Sequence, residues 1–144
     1  MEGRQSVWPA LLSALIGAGL LVAGLILPWI DDRSGSELPW RSALPWDLSQ
    51  PAASSALVSL ALPLGLLAGL CIIAIIVRVR GLAIALGIAL LGLEIAWFAS
   101  ESFRRTRGDL LVSQLEVGAW LSLGGAVLIL IGAFLTPRWE QQVR

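Results

Sequence analysis

The sequence predicts an all-α fold, an integral membrane four-helix bundle with one long Pro/Trp-rich loop and one medium loop on the same face, and three observations predict it. The first is composition: 57% of the 144 residues are hydrophobic and 14% are charged, with a mean hydropathy of +0.83, whereas a soluble domain is about half apolar and about a quarter charged. The second is the presence of four apolar runs, at residues 10–27, 56–77, 82–99 and 117–135. At about 1.5 Å per residue, runs of this length match a hydrocarbon core of roughly 30 Å. The third is where the polar residues fall, in loops 28–55 and 100–116 and at the two ends of the chain. Residues 1–144 are read as a single membrane domain, multi-pass in a cell inner or plasma membrane.

The first run begins after Arg4 and is bracketed by Trp8 and Trp29, which read as interfacial anchors. It exceeds the length of about 7–15 apolar residues typical of a signal peptide, and no small-residue cleavage site closes it, so it is read as a transmembrane helix. Loop 28–55 is the only long polar segment. Across its start the tripeptide Leu-Pro-Trp occurs three times, at residues 27–29, 38–40 and 44–46. Each proline fixes its own φ and pushes the preceding leucine toward extended backbone, so helix is not expected to continue there. Trp29, Trp40 and Trp46 are therefore candidates for lying at headgroup level or for anchoring a partner, since buried aromatic side chains dominate interface energetics.

Ser49 and Pro51 read as the start of the second helix, which Pro63 is expected to kink. Ala61, Gly65 and Gly69 form a small-residue ridge along it, of the kind through which membrane helices pack. Arg78-Val79-Arg80-Gly81 joins it to the third helix, both arginines favouring a helix C-terminus and Gly81 offering a left-handed cap. Gly81, Ala85 and Ala89, with Gly87 beside them, make a second ridge. Ser113 and Glu116 stand in capping-box spacing before the fourth helix, which carries a third ridge of Gly118, Ser122 and Ala126 and is ended by Thr136-Pro137. Four spans place both termini on one side. Arginines divide five against five between the sides, and cytoplasmic termini are preferred because Arg78 and Arg80 sit tightest to the membrane.

Composition also excludes chemistries. The ten arginines balance ten acids, and there is no lysine, so nothing points to nucleic acid. A single cysteine, Cys71, rules out an intramolecular disulfide or a Cys-x-x-Cys pair and is expected to be a small buried hydrophobe. With no histidine, and Met1 as the only methionine, the usual ligands for haem, copper or catalytic zinc are missing, so no cofactor and no metal are expected. Nucleophile, base and orienting group are not visible together, and the glycines are spaced for packing rather than for phosphate, so no enzyme is expected and no catalytic residue is assigned.

Glu94 is the only acidic residue inside an apolar run. A charge left in hydrocarbon costs about 3 kcal/mol or more, which makes it a candidate proton or ion site. Glu101 follows on the same helical face with Trp97 between them, a line leading toward Arg104 and Arg105. The plainer reading is that Glu94 reaches the interface or a serine on a neighbouring helix. Arg104, Arg105 and Arg107 are candidates for contacting lipid phosphates, against the plainer role of a solvated loop.

Residues 24–29, reading Gly-Leu-Ile-Leu-Pro-Trp, and residues 118–125 with Gly132 further on, resemble small bacterial four-span proteins of unknown function found in actinobacterial-type lineages. That resemblance implies no activity. The layout is also superficially similar to claudins, but the paired loop cysteines of that family are missing, so neither its disulfide nor its barrier function carries over.

The expected function is that of a non-enzymatic accessory or scaffold protein acting through the Leu-Pro-Trp loop. Its expected partners are the lipid bilayer and either a membrane protein or a second copy held through the small-residue ridges. The alternative is a small oligomeric transporter or channel using Glu94, which would need a second copy because four short helices enclose little space.

Overall fold

The computed structural model of the protein describes residues 6–30, 32–39, 59–106 and 115–137. Four helices dominate it: α1 (Trp8–Ile26), α2 (Ala61–Ile76), α3 (Arg80–Thr106) and α4 (Val117–Leu135). Between α1 and α2 a small antiparallel hairpin pairs β1 (Pro28–Ile30) with β2 (Arg33–Ser34). Helices α1, α3 and α4 are each long and apolar enough to cross a membrane, while α2 is apolar but has only 16 residues.

The helices bury small residues along their contacts together with a few large ones, such as Leu21, Leu64, Leu90, Trp97 and Ile129, and expose many large apolar side chains. Helix α1 turns Ala10, Ala14, Gly17 and Gly24 inward and leaves Leu12, Leu15, Ile16 and Ile26 exposed; α2 and α4 likewise expose Leu66, Ile73, Val127 and Phe134. Exposed apolar side chains in such number mark contact with a membrane or with another protein. Lipid removes the hydrophobic incentive between helices, so close backbone approach through small residues takes over.

That approach is tightest between α1 and α4. A Cβ added to Gly17 would lie 2.6 Å from the Gly125 carbonyl oxygen, one on Gly24 would lie 2.5 Å from the Ser122 nitrogen, and one on Gly132 would lie 2.6 Å from the Ala10 carbonyl oxygen. Partners run in opposite senses along the two helices, which are therefore antiparallel. On each helix the contacting positions recur every seventh residue: Ala10, Gly17 and Gly24 face Gly132, Gly125 and Gly118. A seven-residue repeat keeps one seam facing its partner when two helices wind gently in a left-handed sense. The Ser13 hydroxyl crosses the seam to donate to the Leu128 carbonyl at 2.8 Å.

The three expected ridges fare differently. That of α4 is buried, with Gly118, Ser122 and Ala126 all against neighbours. Those of α2 and α3 are not: Gly65, Gly69 and Gly81 have open space where a Cβ would go, and Ala85 and Ala89 are exposed. On α3 it is Gly87 that packs, against Leu130 of α4.

Helix α2 begins at Ala61 rather than at residue 56, because Ser59 pairs with Pro39 in an antiparallel bridge and the Leu60 N–H donates to the Leu38 carbonyl at 2.7 Å. Pro63 thus occupies the first turn of α2, where a missing N–H costs no helical hydrogen bond, and the expected kink has no cause. Ser49 and Pro51 lie outside the described residues.

The α2–α3 connection corrects the expected cap. The left-handed residue is Arg78, at φ 62°, and not Gly81, which lies within α3. The Val79 N–H donates to the Ala74 carbonyl at 2.9 Å and the Arg78 N–H to the Ile75 carbonyl at 3.1 Å, the paired bonds of a Schellman ending. Arg80 is the first residue of α3, so only Arg78 stands at a helix C-terminus. Cys71 is buried, as expected, with its thiol donating to the Ala83 carbonyl at 3.2 Å across the α2–α3 contact.

Two further boundaries move. Helix α3 continues through residues 100–106, read from their polarity as loop; that stretch contains no proline or glycine, and polar side chains do not end a helix. Helix α4 starts at Val117 with Glu116 as its N-cap, whereas Ser113 lies outside the described residues.

Candidate functional site

The end of the bundle where α1 stops and α4 starts is built around Trp29. Leu27-Pro28 turns the chain out of α1 into β1, and the turn after β1 is made by Asp32 in the left-handed region, at φ 59°. The hairpin folds back over the helix end: the Ser36 N–H donates to the Leu25 carbonyl at 3.1 Å. Gly35 lies so close above the indole that a Cβ there would be 2.9 Å from the Trp29 ring. Glu116 fastens the hairpin to α4. Its N–H donates to the Trp29 carbonyl at 2.9 Å, and its Oε1 accepts from the Asp32 N–H at 3.1 Å.

Trp29 is consequently fully buried, with its Nε1–H donating to the Gly24 carbonyl at 2.7 Å. This corrects the expectation of an interfacial or partner-binding tryptophan: the hairpin encloses the ring within the chain. Trp97 of α3, also fully buried, meets it edge to face with ring centroids 4.9 Å apart. Phe98 completes the cluster, its centroid 5.3 Å from Trp97 and 6.5 Å from Trp29.

One helical turn before Trp97 stands Glu94, with no exposed surface. Its Oε1 accepts a hydrogen bond from the Ser122 hydroxyl on α4 at 2.5 Å. The plainer of the two sequence readings, a serine on a neighbouring helix, is therefore present. It satisfies only half of the carboxyl: Oε2 is buried and has no hydrogen-bond partner among the described residues. Ser122 faces Glu94 because Gly24 of α1 lies against its backbone on the other side. The seam between α1 and α4 thus positions the hydroxyl that α3 uses.

Of the remaining candidates, only Glu101 has a described side chain. Glu101 lies two turns further along α3 and is half-buried. Arg104 and Arg105 fall in the last turn of α3, with side chains outside the described set, and Arg107, Trp40 and Trp46 lie outside the described residues altogether. The points where residues 40–58 leave and re-enter the described structure are adjacent, tied by the Pro39–Ser59 bridge. Sequence reading missed the parts played by Ser122, Gly35 and Glu116. A usable signal was present for Ser122, which falls four residues from Gly118 and three from Gly125 on the glycine-bearing face.

Compared with protein families, curated proteins and solved structures, the chain matches none.

Proposed function

We propose that the protein is an integral membrane protein, its four helices forming one bundle in the bilayer, and that it works without catalysis as an accessory or scaffold subunit. Its partner-facing element is the Leu-Pro-Trp segment. The observation that carries this reading is the bridge between Pro39 and Ser59, backed by the Leu60 N–H to Leu38 carbonyl bond. The bridge brings together the two roots of the segment holding Trp40 and Trp46, where the chain runs on from the hairpin and into α2. Holding a recognition segment at both roots lowers the ordering cost of binding. With Trp29 buried in the chain's own core, Trp40 and Trp46 are the tryptophans of the repeat left to meet a partner, and large aromatics are favoured as anchors in such contacts.

Affinity purification of the tagged protein from its native membrane in mild detergent, with mass spectrometry of what stays bound, tests the proposal. The expected result is one stoichiometric membrane-protein partner that is lost in the Trp40→Ala/Trp46→Ala double variant and kept in Glu94→Gln. Recovery of self-association alone, or a partner indifferent to both tryptophans, contradicts it.

A further inference from the structure

The Glu94 carboxyl has an unmet requirement that nothing in the scaffold reading uses. One oxygen accepts from Ser122, while the other, Oε2, is enclosed without a donor among the described residues. No compensating charge is at hand among the described helices. Helices α1, α2 and α4 contain no acidic or basic residue. On α3 itself Arg80 stands at the far end, Glu101 is two turns away and of the same sign, and Arg104 and Arg105 belong to the last turn, about 15 Å along the axis from Glu94. The titratable groups on the elements packed against α3 are Cys71 of α2, whose thiol already donates to the Ala83 carbonyl, and Glu116 at the head of α4, whose Oε1 accepts from the Asp32 N–H. Trp29, the residue of β1 that meets α3, carries no charge.

An ionised Glu94 would therefore be a buried charge with one hydroxyl for company, an arrangement proteins avoid by pairing or neutralising the group. A bound metal cation does not fit the same surroundings. Hard cations gather about six or more oxygens, or keep several waters, and one carboxylate with one hydroxyl supplies far fewer. A proton needs a single lone pair, and the unpartnered Oε2 offers one.

We propose that Glu94 is a proton-binding site, its Oε2 carrying the proton while Oε1 accepts the Ser122 hydroxyl, so that the closed bundle contains a neutral carboxylic acid between α3 and α4. The proposal is independent of the scaffold reading: it concerns the interior of the bundle and holds whether or not a partner binds the Leu-Pro-Trp segment.

Infrared spectroscopy of the purified full chain in phosphatidylcholine vesicles at neutral pH tests it. The expected result is a protonated-carboxyl carbonyl band that shifts when the protein is made with glutamate 13C-labelled at its side-chain carboxyl and is absent from Glu94→Gln. In Ser122→Ala the band moves to higher frequency, because the carbonyl loses its donor. The isotope shift in the unsubstituted protein keeps the test valid where a variant fails to fold. Absence of any glutamate-dependent protonated band at neutral pH overturns the proposal, as does loss of the band on adding sodium chloride at constant pH, which would make the occupant a monovalent cation.

Discussion

Trp29 is held by two kinds of contact that a substitution can separate. Replacement by Phe removes the Nε1–H bond to the Gly24 carbonyl while keeping most of the ring contact with Trp97, and is expected to cost about 1 kcal/mol. Replacement by Ala also empties the space beneath the hairpin and is expected to cost about 3–5 kcal/mol. Reversible unfolding in micelles, followed by tryptophan fluorescence, measures both, and equal losses would contradict the division. Glu94 was legible in the sequence because an ionisable residue in an apolar run needs a partner whatever the fold. The burial of Trp29 was not. A tryptophan at the end of an apolar run has the same local pattern whether it lies at a membrane surface or in a core, and here the difference is made by Gly35 and the left-handed Asp32 bringing the chain back over the ring. The serine partner was foreseeable in kind, but Ser122 lies 28 residues from Glu94 along the chain and only the antiparallel seam brings it there.

Between helices, the distribution of closely packed and open glycines predicts opposite outcomes for the same change. Gly125→Leu would force side-chain atoms into the Gly17 carbonyl and the backbone of Leu21, and is expected to destabilise by about 3 kcal/mol or more, with loss of the α1–α4 contact. Gly65→Leu on α2 enters open space, and the folded chain is expected to tolerate it within about 0.5 kcal/mol. Thermal unfolding in detergent distinguishes them. At the α2–α3 turn, Arg78→Gly is expected to stabilise by about 1 kcal/mol, since an arginine now occupies a left-handed conformation that glycine adopts without strain; a lower unfolding temperature for this variant would refute the assignment. Each of the four helices contains the core of one apolar run, but the start of α2 and the end of α3 were not legible from the runs. Which ridge packs was not, because four-residue spacing marks every small-residue face alike. The seven-residue spacing of Gly118, Gly125 and Gly132, matched by Gly17 and Gly24, is the pattern shared by the two helices that meet.

For the molecule as a whole, a close seam of small residues and many exposed large apolar side chains are features that lipid favours, and α1, α3 and α4 have the length to span it. Helix α2 is the demanding case: its 16 residues reach about 24 Å, short of a hydrocarbon core of roughly 30 Å. A short helix is accommodated by local thinning of the bilayer or by packing against longer neighbours, at a modest cost per ångström, and α2 packs against α3 and, through a tight turn, continues into it. The four-span bundle therefore stands or falls on where the outer face of α2 lies. A nitroxide attached at Ile73, an exposed position on that face one turn from the end of α2, in a Cys71→Ala background reconstituted into vesicles, reports this directly through its collision rates with oxygen and with a water-soluble nickel complex. High oxygen and low nickel accessibility, with the reverse for a label at exposed Ser36 in the hairpin, is the outcome a four-helix membrane bundle requires. Nickel accessibility at Ile73 equal to that at Ser36 would place α2 in water and contradict it.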